Sequence, residues 1–391
     1  MRNRSRTMLG AVVLVTLVAL LVPALAAAAA PERYIVTFDS ADHAAAAQQI
    51  AKLGGTKVKD LWIIDGAVFK LPSKAAAGKV RALAGVKTVE LDVVQYAYKG
   101  KPVPPAPVQG IPWGVGKIEA PFVWSSYLLR GAGVNVGIID TGIDIDHPDL
   151  AANVKGGWNC IAETVNFDDD NGHGSHVAGT VAGIDNTIGV IGVAPSANLY
   201  GIKVLNRSGR GTTSDIIEGM QWAIDHDLDV INMSLGTSSY VAAYEDATNK
   251  VLAAGVIMVC SAGNSGPAEN TVGYPAAFEG VIAVAATDSA DVIASFSSRG
   301  PQVDVAAPGV SIFSTTKSGG YTTMSGTSMA APHVTGTVAL MLGSADPNGD
   351  GTWTPLEAEL KLETTALDLG AIGDDIAYGW GRIRANLAVG L

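Results

Sequence analysis

Between residues 134 and 287 the chain repeats one pattern, a short apolar run without polar alternation and then a longer segment with apolar residues at helical spacing. The runs are VNVGIID, NLYGIKVL, DVINMSL, GVIMVCSAG and GVIAVAAT, and segments such as TSDIIEGMQWAIDHD and YVAAYEDATNKVLAAG lie between them. A strand that alternates buries one face, whereas a strand apolar throughout buries both. The pattern therefore predicts an α/β fold, a mainly parallel sheet with helices on both faces, over residues 108–391. Residues 31–98 read as a smaller βαββαβ unit. Its strands are RYIVTFD, TKVKDLW, GAVFKLP and VKTVELDVVQYAY, and its alanine-rich helices, ADHAAAAQQIAKLGG and SKAAAGKVRALAG, close on glycine. That order is the split βαβ of a small α+β, ferredoxin-like unit.

Two stretches fit neither pattern. KGKPVPPAPVQG carries four prolines, which favour an extended, exposed chain, so residues 99–107 read as a linker open to cleavage. At the N-terminus Arg2, Arg4 and Arg6 precede an apolar run that ends in alanines with several A-x-A frames. Residues 1–30 therefore read as a secretory signal peptide, and the protein as secreted; an uncleaved anchor would call for a basic stop-transfer flank that is missing. No second transmembrane candidate follows, so no stable membrane association is expected.

Charge narrows the partners. The net charge of −11 comes without a basic patch, which excludes nucleic acid. Acidic loops in a secreted protein point instead to Ca2+. Cys160 and Cys260 are the two cysteines and allow at most one disulfide. Cys260 ends an apolar strand, where a free thiol packs as a small hydrophobe, so two free thiols are expected.

In a parallel sheet, sites form beyond the carboxyl ends of the strands. Four polar residues fall at such strand ends or at helix starts. Asp140 ends VNVGIID, His173 opens the helix after NGHGSHVAGT begins, Asn264 ends VCSAGN, and Ser328 stands where MSGTS enters the helix MAAPHVTGTVALML. Together they supply an acyl-transfer site. A serine needs a base to become a nucleophile, and imidazole can take that proton and return it to a leaving amine. A carboxylate fixes the imidazole, while an amide and a backbone N–H stabilise the oxyanion. His173 and His176, at i and i+3, would also permit a zinc pair, but no HExxH glutamate lies between them and no third ligand is evident.

The blocks DTGID, NGHGSHVAGT, INMSLG and GTSMAAPHV resemble the signatures of the subtilisin-like serine proteases, the subtilase family, in compatible order over essentially all of residues 108–391. The resemblance implies a serine endopeptidase with Asp140, His173 and Ser328 as catalytic residues and Asn264 in the oxyanion hole. His176 is then a structural residue. Ser234, Leu235 and Gly236 resemble the segment that pairs with an extended substrate. Ser261, Ala262, Gly263 and Gly273 resemble the walls of the first specificity pocket, whose small residues imply a preference for large apolar or aromatic P1 side chains. Residues 31–98 resemble the family's inhibitory propeptide, an intramolecular chaperone that blocks the cleft with its last strand. Self-processing is then expected near Tyr98, with a cut or second trim anywhere up to about Gln109. The mature enzyme is expected to act on proteins or peptides as a monomer.

The same resemblance implies a calcium site at the side chains of Gln109, Asp149 and Asn186 and the carbonyls of Ile184, Ile188 and Val190. A second site rests on the residues themselves. DPNGDGTWTPLE, Asp346 to Glu357, fits the EF-hand loop pattern, with Asp346, Asn348 and Asp350 as ligands, Gly351 at the turn, Thr352 offering its carbonyl and Glu357 bidentate. The acidic run Asp168–Asp170 reads as a solvated turn before His173. Two other functions stay open: a catalytically inert binding protein on the same fold, which the complete residue set disfavours, and a narrow processing peptidase, which the small pocket walls disfavour.

Overall fold

Residues 31–39, 44–97 and 108–390 are described by a computed structural model. The signal segment, Tyr98 and the linker 99–107 lie outside the described residues. The N-terminal unit runs β1 (Glu32–Phe38), α1 (Ala44–Lys52), β2 (Thr56–Leu61), β3 (Gly66–Leu71), α2 (Lys74–Arg81), β4 (Val86–Leu91) and β5 (Val94–Ala97). The larger unit begins with α3 (Trp113–Lys117), α4 (Ala120–Ser126), β6 (Asn135–Asp140), β7 (Val154–Asn159), α5 (His173–Ala182), β8 (Asn198–Lys203), β9 (Arg210–Thr212) and α6 (Thr213–Asp225). It continues through β10 (Val230–Met233), β11 (Leu235–Gly236), α7 (Ala242–Ala253), β12 (Ile257–Ser261), β13 (Ile282–Thr287) and β14 (Val305–Pro308). It closes with β15 (Ile312–Thr316), β16 (Gly320–Met324), α8 (Thr327–Met341), α9 (Pro355–Thr365) and α10 (Ala385–Ala388).

Seven strands form one sheet in the order β14-β13-β12-β10-β6-β8-β7, with all neighbours parallel. Successive side chains leave a strand on opposite faces, and both faces are covered. Val136, Ile138 and Val259 pack with α5 and α8, whereas Ile139, Met258 and Cys260 pack with α6 and α7. The unalternated apolar runs are the sequence record of this double burial.

The N-terminal sheet is antiparallel in the order β2-β3-β1-β4. Tyr34, Val36 and Phe38 pack with Ile50 and Val80 of its own helices. Ile35 and Val68, on its other face, join the core that contains Ile216 and Ile217 of α6. One face thus closes the small unit and the other seats it on the large one.

Two elements expected to be continuous are broken. The strand over 86–98 stops at Leu91 and resumes as β5, because Asp92 turns inward. Its carboxylate accepts from Ser214 N at 2.9 Å and Ser214 Oγ at 2.7 Å and pairs with Arg33 at 2.8 Å, which sends the chain out of the small sheet. DVINMSL likewise splits into β10 and β11 at Ser234, whose Oγ donates to the carbonyl of Ser328 at 2.9 Å.

Candidate active site

β6, an interior strand, delivers Asp140 to the carboxyl end of the sheet, and α5 begins at His173. Gly172, at φ +102°, turns the chain into α5. Gly174 lets the first helical turn lie against the end of β6, since a Cβ there would strike the Gly142 carbonyl and stand 3.2 Å from Asp140 Cβ. His173 Nδ1 lies 2.8 and 2.9 Å from the two Asp140 carboxylate oxygens, with both side chains buried. A carboxylate only accepts, so Nδ1 donates, and Nε2 of the neutral ring is the basic nitrogen.

Ser328 is the second residue of α8 and is buried. Its Oγ donates to the Ser234 carbonyl at 3.1 Å. Asn264 follows β12, and its Oδ1 accepts from Thr327 N at 3.0 Å and Thr327 Oγ1 at 2.9 Å. Two donors on the oxygen fix the amide orientation and leave its N–H2 end for other partners.

Beside these residues lies a three-stranded antiparallel sheet in the order β11-β5-β9. Leu235 pairs with Ala97, Gly236 with Tyr96, Gln95 with Gly211 and Tyr96 with Arg210. β11, part of the segment expected to pair with an extended substrate, is paired here with the last strand of the N-terminal unit. β9, the opposite wall, went unread in the sequence; a three-residue strand has no periodicity, and the glycine-flanked SGRGT was its only signal. Ser261 and Ala262 adjoin Gly263, at φ +112°, and Gly273 N donates to the Ala262 carbonyl at 3.0 Å, so the four expected pocket residues are neighbours.

The profile described as Subtilase family matches residues 131–381. Subtilisin E of Bacillus subtilis (strain 168) is 41% identical over 364 residues, covering 91% of this chain and 90% of the relative. Subtilisin DY of Bacillus licheniformis is 48% identical over 282 residues, covering 72% of this chain and 99% of the relative. Alkaline elastase YaB of Bacillus sp. (strain YaB) is 40% identical over 303 residues, with 78% and 76% covered.

The chain belongs to the subtilase family. It is a serine endopeptidase on the expected α/β fold.

Around the site, this subtilase uses two further histidines as structural groups. His176 is buried, with Nε2 3.0 Å from the Ile312 carbonyl, and burial pushes its pKa down to about 3. His333 is likewise buried, bonded to the Met329 carbonyl and pushed down to about 4. His173 and His176 thus serve separate partners, a carboxylate and a carbonyl, rather than one metal.

The acidic run is not wholly the solvated turn expected. Asp169 is buried and accepts from Thr141 Oγ1 at 2.9 Å, Gly172 N at 2.9 Å, Ser175 N at 3.0 Å and Ser175 Oγ at 2.6 Å. It ties the start of α5 to the end of β6, and so positions His173 over Asp140. Asp170 pairs with Lys203 at 2.7 Å, while Asp168 is exposed. Both cysteines of the subtilase are free and buried, as expected, and burial pushes both thiols up.

The expected first calcium ligands converge. Asn186 Nδ2 donates to Asp149 at 2.8 Å, Val190 N to its other oxygen at 2.8 Å, Ile188 N to Asn186 Oδ1 at 2.7 Å, and Gln109 Nε2 to the Ile184 carbonyl at 2.7 Å. Asp149 is buried, burial raises its pKa, and no Lys or Arg pairs with it among the described residues. A buried carboxylate among amide and carbonyl oxygens is a donor set that fits a hard cation. At the second loop, Asp346 accepts from Asp350 N at 2.8 Å and Gly351 N at 3.0 Å, and Asn348 Nδ2 reaches Asp350 at 3.0 Å and Glu357 at 2.7 Å. Gly351 takes φ +89° as the turn requires. Glu357 also closes a capping box with Thr354 at the start of α9. A third acidic group was not foreseen: Asp304, Glu359 and Glu363 place carboxylate oxygens within 4.8 Å of one another. Glu359 and Glu363 are one helical turn apart, but Asp304 comes from a distant loop.

Proposed function

We propose that this subtilase is a secreted, calcium-stabilised endopeptidase, made as a precursor that cuts itself and then hydrolyses peptide bonds after large apolar or aromatic residues. In this reading Asp140 holds His173 with Nε2 as base. His173 takes the Ser328 hydroxyl proton as Oγ attacks the carbonyl carbon. The Asn264 amide and the backbone N–H at the start of α8 stabilise the oxyanion. His173 returns the proton to the leaving amine, and water then releases the acyl group by the same route in reverse.

The observation that carries the reading is β5, seated between β11 and β9 as a substrate strand would be. Residues 31–98 thereby act as inhibitor and folding partner, and the end of β5 at Ala97 is compatible with a cut near Tyr98. Subtilisin DY supports this division, because 99% of it aligns with only 282 residues of this chain. The signal segment read from the sequence supports export, and the mature enzyme is taken to be a monomer.

Calcium, when bound, supplies a charge that ties oxygen donors together and takes no part in the peptide chemistry. Gln109, Asp149, Asn186 and the carbonyls of Ile184, Ile188 and Val190 would hold one ion, fastening the mature N-terminus to the loop after α5. Asp346, Asn348, Asp350, Thr352 and Glu357 would hold another, clamping α8 to α9.

The enzyme reading is tested with a fluorophosphonate probe and peptides differing at P1. The expected result is a single adduct on Ser328, loss of hydrolysis with it, and faster cleavage after Phe, Tyr or Leu than after Gly or Asp. Full-rate hydrolysis by Ser328→Ala would refute the mechanism.

A further inference from the structure

Outside the cleft, α6 carries two carboxylates that one lysine of the N-terminal unit fills. The side chain of Lys59 in β2 is only 8% exposed, and its ammonium lies 3.0 Å from Asp215 Oδ1, contacts Glu218 Oε2, and donates to the Cys160 carbonyl at 2.9 Å. The carboxylates are held from their own side. Trp158 Nε1 donates to Glu218 Oε1 at 2.9 Å, and Thr212 Oγ1 donates to Asp215 Oδ2 at 2.6 Å. Thr212 is both the last residue of β9 and the cap of α6, so this feature and the cleft wall share a residue. Arg33 adds a second cation, 3.7 Å from Asp215.

Net charge favours the same pairing. Residues 31–98 hold nine Lys and Arg against seven Asp and Glu, a balance of +2, while residues 108–391 hold 12 against 30, a balance of −18. Burial alone would lower the Lys59 pKa, but Asp215 and Glu218 outweigh it and raise it.

We propose that Asp215 and Glu218, braced by Thr212 and Trp158, form a lysine-reading socket separate from the peptide cleft, through which the catalytic unit recognises its own N-terminal unit. This rests on the reading of residues 31–98 as the propeptide. The strand in the cleft offers main-chain pairing that many sequences satisfy, whereas the socket accepts only a unit that places a cation at this point of its second strand. Removing that cation leaves Glu218 without a cation and Asp215 with Arg33 alone at 3.7 Å, which costs more than losing an exposed ion pair. Lys57, paired with Asp60 at 47% and 57% exposure, is the internal control.

The test uses the full chain with Ser328→Ala, so that docking is read without cleavage. Hydrogen exchange is followed at β5 and at Ile63, whose N–H donates across the interface to Gln221 Oε1 at 3.0 Å. Lys59→Met should speed exchange there at least about tenfold, Lys57→Met should leave it within twofold, and the swap Lys59→Glu with Glu218→Lys should restore protection. If Lys59→Met does not fold, Glu218→Gln reads the same contact from the catalytic side and should speed exchange likewise. Equal exchange in Lys59→Met and Lys57→Met, or no effect of Glu218→Gln, would overturn the socket. Because no cut is needed, a wild-type chain that fails to process itself while these variants behave as expected would refute the self-processing reading and leave the socket standing.

Discussion

At the residue scale, the site divides into groups that touch the reacting atoms and groups that aim them. On the proposed function Asn264 belongs to the first: its oxygen is held by Thr327, which leaves its N–H2 end to meet a developing oxyanion. Asn264→Ala should lower kcat by ~10²–10³-fold with little change in KM, the range found when one such donor is removed from a subtilisin; unchanged kcat would remove it from the oxyanion hole. The two kinds differ in legibility. Asp140, His173, Asn264 and Ser328 each stand in a short motif at a strand end or helix start. Asp169 does not, since its partners Thr141 and Ser175 are brought to it by the fold and an acidic run reads as a wet turn. Asp304 escaped for the same reason. Burial and neighbouring carboxylates raise Asp304 from 3.8 to about 8 and Glu363 from 4.5 to about 7. Between the unfolded and folded values the folded chain binds more protons, so stability from these groups falls as pH rises from about 4 to about 8. In chelator, Asp304→Asn with Glu363→Gln should raise Tm at pH 9 relative to wild type by more than at pH 5, and equal shifts at both would contradict the assignment.

At the element scale, the strands that were readable are those buried on both faces, because unbroken apolar runs such as GVIAVAAT have few other uses. What pattern could not show is where a strand changes sheets. β4 and β5 form one extended run in sequence, parted only by Asp92 reaching Ser214, and β10 and β11 are parted by Ser234 reaching Ser328. The loop between α8 and α9 is the opposite case, a motif complete in sequence and folded so that Asn348 Nδ2 donates to Asp350 and Glu357 and the Asp350 N–H donates to Asp346. Asp350→Ala with Glu357→Gln, which keeps the capping box, should lower Tm by several degrees in millimolar calcium and much less in chelator. Equal loss in both would remove the metal from that loop.

At the scale of the whole molecule, a cationic small unit sits on an acidic large one, with its last strand in the cleft and its lysine in a socket on α6. On the proposed function, folding, inhibition and activation concern one interface, which a catalyst that cuts its own chain must be able to release. Most of this arrangement was legible as a resemblance between sequence blocks, but the interface was not, since Lys59 meets Asp215 and Glu218 across more than 150 residues of chain. The most direct measurement is intact mass over time, for the precursor without its signal segment and for its Ser328→Ala twin, each refolded with calcium. Loss of the N-terminal unit from the wild type alone, with a new terminus between Tyr98 and Gln109, is the result predicted. A twin that is cut at the same rate, or a folded wild type that stays whole, would contradict self-processing by Ser328.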